Sequence, residues 1–76
     1  MNRVKIRIDT LRDVNRFLRA VSSTSGEVIL TNDKGYTVNG KSYLGVVYAS
    51  AEWTDIYCLS EESLSEKIMF LIVDDD

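Results

Sequence analysis

Within its first twenty-one residues the chain changes hydrophobic period, and that change restricts the folds open to it. Residues 3–8 alternate, with Val4, Ile6 and Ile8 on one face and Arg3, Lys5 and Arg7 on the other. A period of two describes a strand buried on one side only. From Thr10 the spacing becomes helical. Leu11, Val14, Phe17, Leu18 and Val21 form one apolar stripe, and Arg12, Arg16 and Arg19 line the opposite side. A half-wet strand and an amphipathic helix bury their apolar surface best against each other. The expected architecture is therefore a sheet covered by helices on one face.

The remaining residues extend this pattern. Thr10 reads as the N-cap of the first helix, with Asp13 three residues on as a shorter relative of the capping box. Ser22–Gly26 reads as its polar terminus, with Gly26 as a helix stop. Val28–Thr31 is a strand, Asn32-Asp33-Lys34-Gly35 is turn chemistry, and Tyr36-Thr37-Val38 completes a hairpin that Asn39-Gly40 ends. Ser42 reads as the N-cap of a short helix over Tyr43–Ser50, with Gly45 counting against it. Thr54–Leu59 alternates as a fourth strand, with Ile56 and Cys58 facing one way and Asp55 and Tyr57 the other. Ser63-Leu64-Ser65-Glu66 is a capping box. It should start a last helix turning Leu64, Ile68, Leu71 and Ile72 inward, although the all-apolar run Ile68–Val73 also fits a fifth strand. Asp74–Asp76 reads as a solvated tail. The order is β-α-β-β-α-β-α: an α/β (α+β) open-faced sandwich with a four-stranded antiparallel sheet, and two to three helices on one face. The open face should carry Arg3, Lys5, Arg7 and Tyr57.

Length and composition bound the function. Seventy-six residues make one domain, 1–76, burying roughly 60% of the surface its unfolded chain exposes. That leaves little room for a deep active-site cavity. A hydrophobic content of 45% and a charged content of 28% are those of an ordered globule. One cysteine, Cys58, makes no intramolecular disulfide, and its alternation with Ile56 places it in the core. The charge-interrupted N-terminus does not read as a signal peptide, and the longest apolar run is too short for a bilayer. The expected compartment is the cytoplasm, with no membrane partner. Six of the nine basic residues lie in the first nineteen positions against Asp9 and Asp13, a local charge of +4, while the remainder carries −7. Such asymmetry steers partners rather than deciding a fold.

No metal-ligand cluster is legible, since there is one cysteine and no histidine. Gly-rich phosphate loops, nucleophile elbows and paired acid motifs are also missing. Glu61, Glu62 and Glu66 read as helix-start residues. Trp53, with Tyr48 nearby, reads as closing the edge of the core. No cofactor and no enzymatic activity are expected.

Gly40-Lys41-Ser42-Tyr43-Leu44-Gly45-Val46 resembles the stretch around the regulatory serine of HPr, the phosphocarrier of the bacterial sugar phosphotransferase system. Gly35-Tyr36-Thr37-Val38-Asn39 upstream is similar to the strand leading into it, and Thr54-Asp55-Ile56-Tyr57-Cys58 downstream to the fourth strand. The order and length of the elements are also similar to that family's. HPr carries His-Ala-Arg-Pro between its first strand and first helix; Asp9-Thr10-Leu11-Arg12-Asp13 stands there here. The loop is shorter, proline is absent, Thr10 falls near the histidine and Arg12 at the arginine. A hydroxyl cannot replace a labile nitrogen-linked phosphate, so phosphorelay through histidine is excluded. The resemblance is closest to HPr-like regulators that lack the histidine and keep the serine.

The resemblance implies a non-catalytic regulatory or adaptor protein whose partner is a kinase, a transporter component or a transcription regulator. Ser42 would be the phosphorylation site, at a helix start where N–H groups favour an added dianion. It is equally a plain N-cap. Tyr43, Leu44 and Val47 would form an apolar docking patch, or alternatively belong to the core. Thr10 with Arg12 is a candidate anion site, and capping alone also accounts for Thr10. In a different class of function, Arg12, Arg16 and Arg19 with the basic strand would meet an acidic protein. Nucleic acid is a weaker partner, because the chain is acidic overall and lacks a basic, aromatic-interleaved sheet motif.

Overall fold

The period change at Thr10 is where strand gives way to helix. The computed structural model describes residues 1–73. Its elements are β1 (Asn2–Ile6), α1 (Leu11–Val21), β2 (Val28–Thr31), β3 (Thr37–Asn39), α2 (Tyr43–Glu52) and β4 (Ile56–Ser60), followed by one turn of 3-10 helix at Met69–Leu71. Thr10 and Asp13 form a reciprocal capping box. The Thr10 hydroxyl accepts from the Asp13 N–H at 3.1 Å, and the Asp13 carboxylate accepts from the Thr10 N–H at 3.3 Å.

The four strands form one antiparallel sheet in the order β1-β4-β2-β3. β4 is central, and its Ile56, Cys58 and Ser60 are buried while Tyr57 and Leu59 are only partly so. Register carries that alternation across the sheet. Val4, Cys58, Leu30 and Val38 make a row on the inner face; Lys5, Tyr57, Thr31 and Thr37 make a row on the outer one. On the inner face, Val14, Phe17 and Val21 of α1 and Val46 and Ala49 of α2 join Ile6, Leu30 and Cys58 in one cluster. The coarse reading therefore holds: a small α+β chain with a four-stranded antiparallel sheet and two α-helices. α2 runs to Glu52, past the expected Ser50, and β4 starts at Ile56 rather than Thr54.

Three details differ from expectation. Leu11 is 61% exposed, because the first residue of α1 overhangs the surface its stripe covers. α1 ends at Val21 with Ser22 as its C-cap, at the start of the polar Ser22–Gly26 terminus, and does not reach the glycine. The Ser22 hydroxyl donates to the Arg19 carbonyl at 2.9 Å and the Thr24 hydroxyl to the Val21 carbonyl at 2.7 Å, which satisfies carbonyls a glycine cap would otherwise serve.

The third difference is the last segment, which is not an α-helix. It makes one turn, Ile68 N–H to Leu64 carbonyl, then the 3-10 turn, and then straightens. Ile72 bridges Ile6, the Arg7 N–H donates to the Leu71 carbonyl at 2.9 Å, and the Val73 N–H donates to the Lys5 carbonyl at 3.0 Å. β1 is an edge strand whose outward polar groups need partners, and an extended chain supplies them where a helix could not. Leu64, Ile68 and Leu71 still face the core, as their spacing requires. The expected acidic tail, Asp74–Asp76, lies outside the described residues. Among the described residues no helix is long and apolar enough to cross a membrane.

Candidate functional site

Ser42 sits where the chain leaves β3 for α2. The Asn39 side chain accepts from the Lys41 N–H at 2.9 Å, and the Asn39 carbonyl accepts from the Ser42 N–H at 3.1 Å. The Ser42 hydroxyl accepts from the Gly45 N–H at 3.2 Å, a side-chain N-cap. Gly45 fits this corner because a Cβ there would lie 2.9 Å from the Asn39 carbonyl oxygen. Lys41 reaches back and donates to the Thr24 carbonyl at 2.7 Å. Ser42 is half-buried and no acidic residue stands in the first turn of α2, so its N–H groups face no competing carboxylate there.

α2 carries no charge before Glu52. Its inner side buries Val46 and Ala49, and its outer side leaves Leu44 78%, Tyr43 50% and Tyr48 52% exposed. Val47, read either as docking patch or as core, is half-buried and packs against the core. Tyr48 stands on the outer face instead, one turn beyond Leu44. Only the i, i+4 spacing of Leu44 and Tyr48 signalled this pairing. Tyr48 also meets Trp53 edge to face, with ring centroids 6.2 Å apart at 84°. Trp53 itself is half-buried against the core, as its reading at the core edge required.

At the candidate anion site of Thr10 and Arg12 the N-terminus of α1 faces a carboxylate of its own chain. The Asp13 carboxylate already occupies the start of α1, accepting from both the Asp9 and Thr10 N–H groups, and it would repel an incoming anion. Arg12, Arg16 and Arg19 are exposed. The Arg16 guanidinium lies 4.0 Å from the Phe70 ring centroid, so the 3-10 turn covers part of that face. On the outer sheet face Arg3 stacks 4.0 Å over Tyr57, and Lys5 pairs with Asp55 at 3.2 Å. Arg7 lies 3.7 Å from the Asp9 carboxylate, so all three charges of the basic strand are engaged within the molecule.

Cys58 is 1% exposed, and burial pushes its thiol from 9.0 up to about 12. At neutral pH this burial favours the protonated thiol over the reactive thiolate. Among the described residues no three acidic or cysteine side chains gather to hold a metal ion. The arrangement presents a capped helix, uncharged up to Glu52, with Tyr43, Leu44 and Tyr48 turned outward. Neither a protein-family model nor a curated protein nor a solved structure matches the chain.

Proposed function

We propose that this chain is a non-catalytic, HPr-like regulatory or adaptor protein that acts by protein–protein contact through the outer face of α2. Phosphorylation of Ser42 would be its switch. The observation that carries this reading is Leu44, 78% exposed between Tyr43 and Tyr48 on a helix with no charge before its last residue. Isolated exposed apolar residues are ordinary, but three on one short helix in a chain with 28% charged residues form a patch suited to a partner. The β-α-β-β-α-β order and the Ser42 cap within Gly40–Val46 support the HPr-like part of the reading. A phosphate on Ser42 would place about two negative charges beside that patch, disfavouring an apolar partner and favouring one that presents arginine.

The test is intact mass after incubation with ATP and an HPr serine kinase, with Ser42→Ala as control. One added phosphate, absent in the control, supports the switch. No added mass reduces Ser42 to a cap. The docking face is tested separately: Leu44→Asp should abolish capture of any partner the native chain retains, and unchanged capture sinks the docking reading.

A further inference from the structure

The C-terminal end of α2 opens onto a hollow of about 460 Å³ between the helix and the β2–β3 turn. Its walls are aromatic and acidic. Tyr36, 63% exposed, stands on the turn side, and Tyr48 and Trp53 meet edge to face on the helix side. Asp33, Glu52 and Asp55 line it with one cation, Lys34. Asp55 is already paired with Lys5, whereas among the described residues Asp33 and Glu52 are in no ion pair. Two unpaired carboxylates and three aromatic rings around one hollow favour an organic cation over an anion or a neutral group.

We propose that this hollow seats an arginine side chain of the partner protein. The proposal rests on the reading of α2 as the docking helix and adds the partner's chemistry. A guanidinium suits the walls better than an ammonium, because its plane stacks on an aromatic ring while its fork donates to carboxylates. This molecule already makes that stack twice, Arg3 on Tyr57 and Arg16 on Phe70, each at 4.0 Å. Glu52 lies two turns beyond Leu44 on α2, roughly 12 Å along the axis. The matching partner segment presents an apolar side chain to Leu44 and an arginine about that far away.

Trp53 is the only tryptophan, so its fluorescence reports from the wall of the hollow. The full chain is titrated with N-acetyl-arginine amide and, in parallel, with N-acetyl-citrulline amide, which has the same shape and no charge. The arginine amide should change the emission saturably, with citrulline weaker by about tenfold. Glu52→Gln and Tyr48→Ala should each raise the midpoint by at least about threefold, while Glu66→Gln, on the far segment, leaves it unchanged. Both test residues are exposed, so their variants should keep the native circular dichroism. Equal responses to arginine and citrulline, or an unmoved midpoint in Glu52→Gln, would overturn the proposal. The titration uses no partner, so its failure leaves the docking role of Leu44 standing, and failure of Leu44→Asp to weaken capture leaves the titration result intact.

Discussion

The carboxylate of Glu61 occupies the space that a side chain on residue 26 would need. Gly26 has φ +80°, and the Glu61 Oε2 beside it accepts from the Glu27 N–H at 2.8 Å. The neighbouring Glu62 accepts from the Ser25 N–H at 2.9 Å, so the end of β4 clamps the loop that leads into β2. Gly26→Ala meets two costs: a left-handed backbone, about 1–2 kcal/mol, and displacement of Glu61 from its bond, about 1 kcal/mol. A loss of about 2–3 kcal/mol is expected in urea unfolding. In a Glu61→Ala background only the backbone cost should remain. Additivity of the two substitutions would show that the carboxylate does not matter at this position.

Removing the Ser42 cap should destabilise the chain by about 1 kcal/mol in Ser42→Ala, while Ser42→Asp, which can still accept from the Gly45 N–H, should stay close to native. Gly45 gives the more decisive comparison. In an ordinary helix interior Gly→Ala stabilises by about 1 kcal/mol. Here the added Cβ would sit 2.9 Å from the Asn39 carbonyl, a backbone atom that cannot swing aside. Gly45→Ala is expected to destabilise, and a raised melting temperature would show that the corner between β3 and α2 relaxes freely.

Most of the frame was legible in the sequence where local chemistry and tertiary demand agree. Thr10 and Asp13, the Asn32–Gly35 turn and Ser42 each place an element boundary through bonds within a few residues, and the structure makes those bonds. The reading failed where a distant group decides the outcome. Ser63–Glu66 has the residues of a helix start, yet the segment is claimed by the unpaired edge of β1, some sixty residues away in sequence. Which of the neighbours Val47 and Tyr48 turns outward depends on how α2 packs on the sheet, which local spacing does not specify. The hollow beside Tyr48 joins the β2–β3 turn to the end of α2, and no sequence spacing could have brought Tyr36 to Trp53.

Because the last segment closes the edge of β1, its apolar residues belong to the fold rather than to a dispensable tail. Ile68 is fully buried, and Ile68→Ala should cost about 2–5 kcal/mol, a large share of the roughly 4–11 kcal/mol expected for a chain of 76 residues. The amide of Arg7 should lose hydrogen-exchange protection in the same variant, since it donates to Leu71. Met69→Ala, at a site 66% exposed one residue away, should change stability by less than about 0.5 kcal/mol. Equal effects at the two positions would mean that the segment is not docked as described.

Cys58 ties stability to alkaline pH. Its thiol is pushed up to about 12 in the folded chain from 9.0 when solvated, because the thiolate would be buried among apolar side chains. Between those values the unfolded chain releases a proton that the folded chain keeps, so rising pH favours unfolding. This contribution is complete below pH 9 and is lost progressively toward pH 12, with a slope approaching about 1.4 kcal/mol per pH unit. Urea midpoints should therefore fall more steeply above pH 9 in the native chain than in Cys58→Ala, whose other titrating groups are the same. The same burial makes Cys58 unreactive toward iodoacetamide at about pH 8 until urea exposes it. Rapid alkylation of the folded chain, or parallel pH profiles for the two proteins, would place the thiol at the surface and contradict its position between Ile56 and Ser60 on the inner face of β4.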